Sequence, residues 1–455
     1  MKKDPLLYRL SNLILLLLVV ACGAEEAELP TIPVINETVI YHQLWDGNQL
    51  PAYAQCATDF MNANPTIRIE LLQTEWGLYW EDISRRMEMG TAPDVFANHL
   101  TKLVQFSEAG QLLDLQPLLA RDGLNPDDYL GDLANLWVRD GLRYGLPKDW
   151  DTVAVIYNKQ MLEAAAIDLA ELNSWHWNPQ DGGSFEAVAA RLTLDGNGRS
   201  ADTPDFDPQT VTQHGYLPFT YGSGSAFGQA EWSHFAVSNG FHFLADGSGI
   251  QYRYADPQFI ETVDWLARLS LEKGIAPSLA ESVERGSGIM FVQGEGAMIV
   301  DGSWMISWYA NNAPFPVGFA PLPVGPNGRK TLLNTAADSI WAGTQNREEA
   351  WRWVTYAASP ACAQKVGNFG VVFPAQEAGM QAALATYQGR GLDVSPFTEN
   401  RFEANGTFLF PMTPHTEQIG EIMSRTLDEI FLGTAVAAEA LPQANAQINA
   451  LFAEQ

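Results

Sequence analysis

The residues of this chain best suited to chemistry are aromatic or acidic, and they follow short apolar runs. Trp45 and Asp46 come after Thr38-Val39-Ile40-Tyr41-His42, and Trp76 comes after an alternating run at Ile67, Ile69 and Leu71. Asn98 and His99 end the run Pro93-Asp94-Val95-Phe96-Ala97, and Asp149-Trp150-Asp151 follows Tyr144-Gly145-Leu146-Pro147. An indole offers a flat apolar face, while carboxylates accept hydrogen bonds and amides both accept and donate them. A polyhydroxylated ring asks for both, a platform under its C–H face and acceptors around its hydroxyl rim. Trp45, Trp76 and Trp150 are therefore candidate platforms, although packing accounts for each as readily. Asp46, Asn98, Asp149 and Asp151 are the candidate hydroxyl partners. Trp80 and Trp351 stand at helical spacing and read as core.

These loops need a scaffold, and the chain alternates strands with helices as α/β proteins do. The run 38–42 reads as a strand and Trp45-Asp46-Gly47-Asn48 as a turn. A helix follows, with Ala52, Cys56 and Phe60 on one face. Asn64-Pro65 ends it, a second strand follows, and a second helix carries Trp80, Ile83 and Met87 to Gly90. A third strand, and a helix to Gly110, complete a doubly wound β-α-β-α-β-α unit. The chain then leaves this unit near Pro147 for the apolar run Val153–Asn158. The middle is a more helical unit, in which Asp256 caps a helix with Pro257 in its first turn and Ile260, Val263, Leu266 and Ala267 on its apolar face. Another helix opens after Asn346 with Glu348 and Glu349 at its positive end. Pro314 to Pro326 is the best linker of the second half.

The ends and the composition narrow the class. Lys2, Lys3 and Arg9 precede Leu13-Ile14-Leu15-Leu16-Leu17-Leu18-Val19-Val20, an apolar run far short of the ~20 residues that span a bilayer; residues 1–21 read as a cleaved export signal. Val19-Val20-Ala21-Cys22 resembles a bacterial lipobox, which makes Cys22 the acylated first residue of the mature protein, anchored to the membrane, and 22–35 its acidic tether. The 455 residues carry 54 acidic against 26 basic side chains and a net charge of −28, which excludes nucleic-acid binding through phosphate contacts. A hydrophobic content of 46% with 14 Trp and 22 Phe supports large cores. Beyond Cys22 only Cys56 and Cys362 remain; both fall in helix-like segments, and two buried, unpaired thiols are the expectation. No Cys/His cluster points to zinc, and Asp195-Gly196-Asn197-Gly198-Arg199 lacks the ligands of a calcium loop and reads as a turn. No metal or cofactor is expected.

Four segments in order resemble the family 1 extracellular solute-binding proteins of ABC transporters, carbohydrate-binding lipoproteins of the maltose-binding-protein type. They are Asn64-Pro65 through Gly90-Thr91-Ala92-Pro93-Asp94-Val95; Tyr144-Gly145-Leu146-Pro147 with Tyr157-Asn158-Lys159; Phe291 to Met298 with Gly302-Ser303-Trp304; and Pro321-Leu322-Pro323 through Trp351 and Ser359-Pro360 to Phe373-Pro374-Ala375. The resemblance implies a two-lobed periplasmic-binding-protein-like fold of type II, with hinge crossings between the lobes. Lobe one would be 36–146 plus 334–372 and lobe two 147–333 plus 373–455. It also implies Trp304 as a stacking platform, and Trp232, Asp338 and Phe369 at the rim. The implied function is extracytoplasmic capture of a sugar or oligosaccharide in the cleft by a monomer that delivers it to importer permease subunits. A surface carbohydrate-active enzyme is the alternative. Glycoside hydrolysis needs carboxyl groups opposed about 5 or 7–9 Å apart, whereas Asp149 and Asp151 on one strand point to the same side. Capture of another small solute, such as a polyamine, is the third reading.

Overall fold

A computed structural model describes residues 37–219, 227–247, 249–401 and 405–453; the export signal, Cys22 and the tether lie outside them. The first unit is built as β1 (Thr38–Leu44), α1 (Leu50–Ala63), β2 (Ile67–Gln73), α2 (Trp76–Glu88), β3 (Val95–His99) and α3 (Leu100–Glu108). The chain continues as β4 (Leu146–Asp151), β5 (Val153–Asn158), β6 (Leu194–Asp195) and β7 (Val211–Leu217). After helices α4 (Ser233–Ser238) and α5 (Pro257–Leu271) come β8 (Gly296–Gly302), β9 (Val317–Ala320) and β10 (Asn334–Ile340). The last major elements are α6 (Arg347–Ala357), α7 (Pro360–Phe369), β11 (Phe373–Pro374), α8 (Thr416–Phe431) and α9 (Ala437–Ala450).

The strands form two main sheets, in the orders β11-β4-β10-β3-β1-β2 and β9-β5-β8-β7-β6. β1 pairs in parallel with β2 on one side and β3 on the other. The winding direction therefore reverses between β1 and β3, and a crevice opens at their carboxyl ends. Those ends carry Trp45 and His99, so the topology itself selects the loops that the sequence marked.

Each sheet has its own core. Ile40, Phe60, Ile69 and Val95 pack with Trp351 and Trp353 of α6 on the first. Val155, Phe185, Trp177 and Trp265 pack with the α8 and α9 faces on the second. A third cluster, including Trp150, Ile156, Phe373 and Phe397, spans the junction. The expected α5 forms with Asp256 as N-cap, its side chain accepting from Gln258 N–H at 3.0 Å.

Three expectations need correction. Cys56 of α1 and Cys362 of α7 form a disulfide, with Cα atoms 5.5 Å apart and 306 residues between them in sequence. Helical residues far apart in sequence meet here because both helices cover the same sheet face, which spacing along the chain does not reveal. Second, β4 and β11, assigned above to lobe two, are strands of the first sheet, and the chain changes sheets at Thr152, not at Pro147. Third, the proline-rich stretch from Pro314 is not a free linker, since β9 within it pairs with β5. Its continuation carries Thr331–Leu332, which pairs with Thr407–Phe408 before the chain re-enters the first sheet as β10.

Gly145 shows why the Tyr-Gly-Leu-Pro segment needs glycine. A Cβ there would lie 2.8 Å from Ala337 Cβ and 3.0 Å from the Trp137 ring.

Candidate functional site

The turn after β1 and the first turn of α2 bring their indoles together. Trp45 and Trp76 meet edge to face at 5.3 Å, and Trp45 also contacts Tyr79 at 5.3 Å and Trp80 at 5.7 Å. Trp76 is 46% exposed, so a ring face remains open to solvent. Trp80, one helical turn on, packs partly buried against the core beneath the wall, as its spacing suggested, and also meets Trp76 at 5.4 Å. His99 closes the wall, 5.8 Å from Trp76. Its Nδ1 accepts from Thr101 N–H at 3.3 Å as the cap of α3. Burial, helped by the nearby Lys102 charge, drops its pKa to about 3 and keeps it neutral.

Beneath the wall lies a buried polar network. β10 and β4 fall out of register between Ala336 and Ala337, and Lys148 is the extra residue. Such bulges re-aim side chains. Here the Lys148 ammonium sits 4.6 Å from the Tyr53 ring centre and 5.8 Å from that of Trp45, and donates to Gln49 Oε1 at 3.2 Å. Asp46 accepts from Asn48 N–H at 2.8 Å and from Gln49 Nε2 at 3.0 Å, and thereby holds the turn. The Trp353 indole N–H donates to His42 Nδ1 at 3.0 Å, so the His42 proton sits on Nε2, which donates to Asp338 Oδ1 at 3.1 Å. Burial raises the Asp338 pKa, but the His42 contact and the Lys148 charge outweigh it and hold the group below the usual carboxylate range.

Asp149 and Asp151 occupy the end of β4 next to the sheet change. Asp149 Oδ1 accepts from Ala336 N–H at 3.3 Å, and its Oδ2 makes no hydrogen bond among the described residues, the Lys148 ammonium standing 3.9 Å away. Asp151 accepts from Gln229 Nε2 at 3.2 Å and from Asn334 Nδ2 at 2.8 Å. Burial raises the Asp149 pKa to about 6 and that of Asp151 to about 7; in Asp151 the neighbouring Asp149 charge adds to the rise.

Trp304 follows β8 and packs against the cores of both sheets. Its ring folds back over Gly302, where a Cβ would lie 2.0 Å from it. Opposite the aromatic wall, Phe410 faces His99 at 6.1 Å. Glu417 at the start of α8 accepts from Lys102 Nζ at 2.8 Å and from Gln105 Nε2 at 3.0 Å.

Four marked residues stand elsewhere. Trp150 is buried at the junction, with Phe373 at 5.0 Å and the Arg401 guanidinium 4.6 Å above its ring. Trp232 is fully buried in the second core against Phe259 at 4.7 Å. Asn98 is buried in the first sheet, where it donates to Ser339 Oγ at 3.1 Å and accepts from His99 N–H at 2.9 Å. Phe369 is exposed at the end of α7. Asp195 accepts from the N–H groups of Asn197, Arg199 and Asp207, which uses its carboxylate within a turn.

Lys148, Gln49, His42, Asn334 and Gln229 were not marked. Lys148 adjoins the marked Asp149, but only the bulge turns it inward; Asn334 and Gln229 depend on long-range pairing and left no local signal.

The model of bacterial extracellular solute-binding proteins matches residues 46–364. The chain belongs to that family. A binding protein of Brucella abortus is 23% identical over 411 residues, covering 88% of this chain and 90% of its own. The maltodextrin-binding protein of Bacillus subtilis is 26% identical over 276 residues, 60% of this chain and 58% of its own. An ABC substrate-binding protein from Listeria monocytogenes, solved with cycloalternan, superposes with a TM-score of 0.78 at 20% identity, covering 91% of this chain and 99% of that one. In this solute-binding protein the matched residues begin at Asp46 and include Trp76, Trp80, His99 and Trp304.

Proposed function

We propose that this chain captures a sugar or oligosaccharide between its lobes and delivers it to an ABC importer. What supports the reading is Trp304, packed against the cores of both sheets, together with the cluster of Trp45, Trp76 and Trp80 rings after β1 and β2. Aromatic faces with buried carboxylates suit a ring that needs stacking and hydroxyl acceptors together. The names of the Bacillus maltodextrin-binding relative and the Listeria complex with cycloalternan support the same class.

A ligand that touches both lobes binds the closed form better and shifts the population toward it. Moving a mostly open protein to mostly closed takes roughly 5 kcal/mol of differential binding. A few hydroxyl hydrogen bonds and one or two stacked rings are sufficient for that. Trp304→Ala is expected to abolish saccharide binding by calorimetry while the melting transition remains cooperative; unchanged affinity would overturn this role.

The anchored location rests on Cys22 and on the disulfide, because Cys56–Cys362 needs an oxidising compartment in most bacteria. Cys22→Ser should move the protein from the membrane to the soluble fraction. Retention on membranes after that change would exclude the lipid anchor.

A further inference from the structure

We propose that the captured saccharide carries an amino group whose ammonium lies between Asp149 and Asp151 at the floor of the crevice. This rests on the saccharide reading and narrows it to an aminated sugar.

The floor is short of donors. Asp149 is 4% exposed and its Oδ2 has no hydrogen-bond partner among the described residues. Asn334 is 2% exposed; its amide nitrogen is committed to Asp151, and its oxygen is unpartnered at the same place. β10 sets these groups side by side, because Asn334 pairs with Asp151 and Ala336 with Asp149. The unmet groups are thus acceptors on two adjacent hinge strands. A buried acceptor left without a donor costs free energy, and a buried carboxylate without a counter-charge costs more.

Hydroxyls would meet the first need but not the second, and the balance of charge decides between them. Asp46, Asp149, Asp151 and Asp338 act on one another through this network. Among the described residues the cation of this network is Lys148, which donates to Gln49, lies on the Tyr53 and Trp45 rings and makes a long ion pair of 3.9 Å with the nearer Asp149 oxygen. Arg401 stacks on the Trp150 ring, and Trp150 alternates with Asp149 and Asp151 along β4, so its guanidinium lies on the other side of the strand. Asp151 receives only the neutral amides of Gln229 and Asn334. An ammonium supplies donors and charge at once. The raised pKa values of both carboxylates fit a floor that awaits a cation.

The test is calorimetry at pH 7.5 with paired di- and trisaccharides, each as a glucosamine form and as its N-acetylated and hydroxyl counterparts, with spermidine as a non-sugar amine. The glucosamine form is expected to bind at least about tenfold more tightly, with a ratio that shrinks as salt rises from 0.05 to 0.5 M, as charge contacts do. Asp151→Asn should bring the ratio close to one, and Asp149→Asn serves if the first variant does not melt cooperatively. Equal or tighter binding of the neutral forms overturns this inference and leaves saccharide capture standing. Binding of spermidine alone, or heat from no saccharide of any pair, overturns both.

Discussion

Asp151 Oδ2 accepts a 2.8 Å hydrogen bond from Asn334 Nδ2, which ties together the two antiparallel strands through which the chain passes between the lobes. Gln229, from the unit built on the second sheet, reaches the other oxygen of the same carboxylate at 3.2 Å. One buried acid therefore joins both hinge strands to the far lobe, and its ionisation bears on stability and ligand capture together.

That linkage has a definite sign. The folded pKa of Asp151 is about 7 and of Asp149 about 6, both above the ordinary carboxylate value of 3.8. Between pH 4 and 7 the folded state holds protons that the unfolded chain releases, so these two groups favour folding at low pH and lose that contribution as pH rises. At about 1.4 kcal/mol per pKa unit the effect amounts to a few kcal/mol. The melting temperature of Asp151→Asn relative to the parent should rise progressively between pH 5 and pH 8. A difference that does not change with pH would show that the carboxylate is not held protonated.

Ligand affinity should run the opposite way. Ionised Asp149 and Asp151 accept hydrogen bonds that their protonated forms accept less well, so affinity should increase roughly tenfold between pH 5.5 and 7.5. Titrations at a series of pH values would show this, and a flat profile would remove both carboxylates from the contact.

Trp76 tests the outer wall without disturbing a core. Its ring is 46% exposed and meets Trp45, Trp80 and His99 by its edges. Trp76→Ala should leave the melting temperature within about 2 °C, as surface changes do. It should weaken binding by about 3- to 10-fold, the worth of one stacked ring.

The disulfide carries stability and not recognition. Both sulfurs are buried between α1 and α7, on helices that cover the first sheet. Replacing Cys56 and Cys362 by alanine should lower stability by about 2–5 kcal/mol and change ligand affinity less than threefold. A large loss of affinity would mean that the bridge positions the cleft.

Lys102 of α3 pairs with Glu417 of α8, which packs on the second core, at 2.8 Å, with Glu417 about half exposed. Such a pair is worth about 0.2–1 kcal/mol. Glu417→Gln should therefore speed ligand release by no more than about fivefold in stopped-flow fluorescence and leave association unaltered.

The parts of this design that depend on local chemistry were legible in the sequence. The order of strands and helices follows from alternation and capping, and β1, β2 and β3 end at the marked loops. Trp45 and Trp76 meet because they follow β1 and β2, parallel neighbours that end side by side. What was hidden depends on long-range pairing. Cys56 and Cys362 meet through helix packing, Lys148 turns inward at a register shift, and Asn334 reaches Asp151 across strands 183 residues apart. Trp150 and Trp232 could not be told from platforms, because an indole in a loop and an indole in a core share the same sequence context. Trp80 packs on the core as its helical spacing indicated, but spacing did not show that it also meets Trp45 and Trp76.

The central claim is that the crevice captures a saccharide. Isothermal titration of the purified protein with mono- and oligosaccharides, amino acids and short peptides tests it most directly. One-to-one binding of at least one saccharide is expected, lost in Trp304→Ala. Binding of an amino acid or peptide, with no heat from any saccharide, would contradict it.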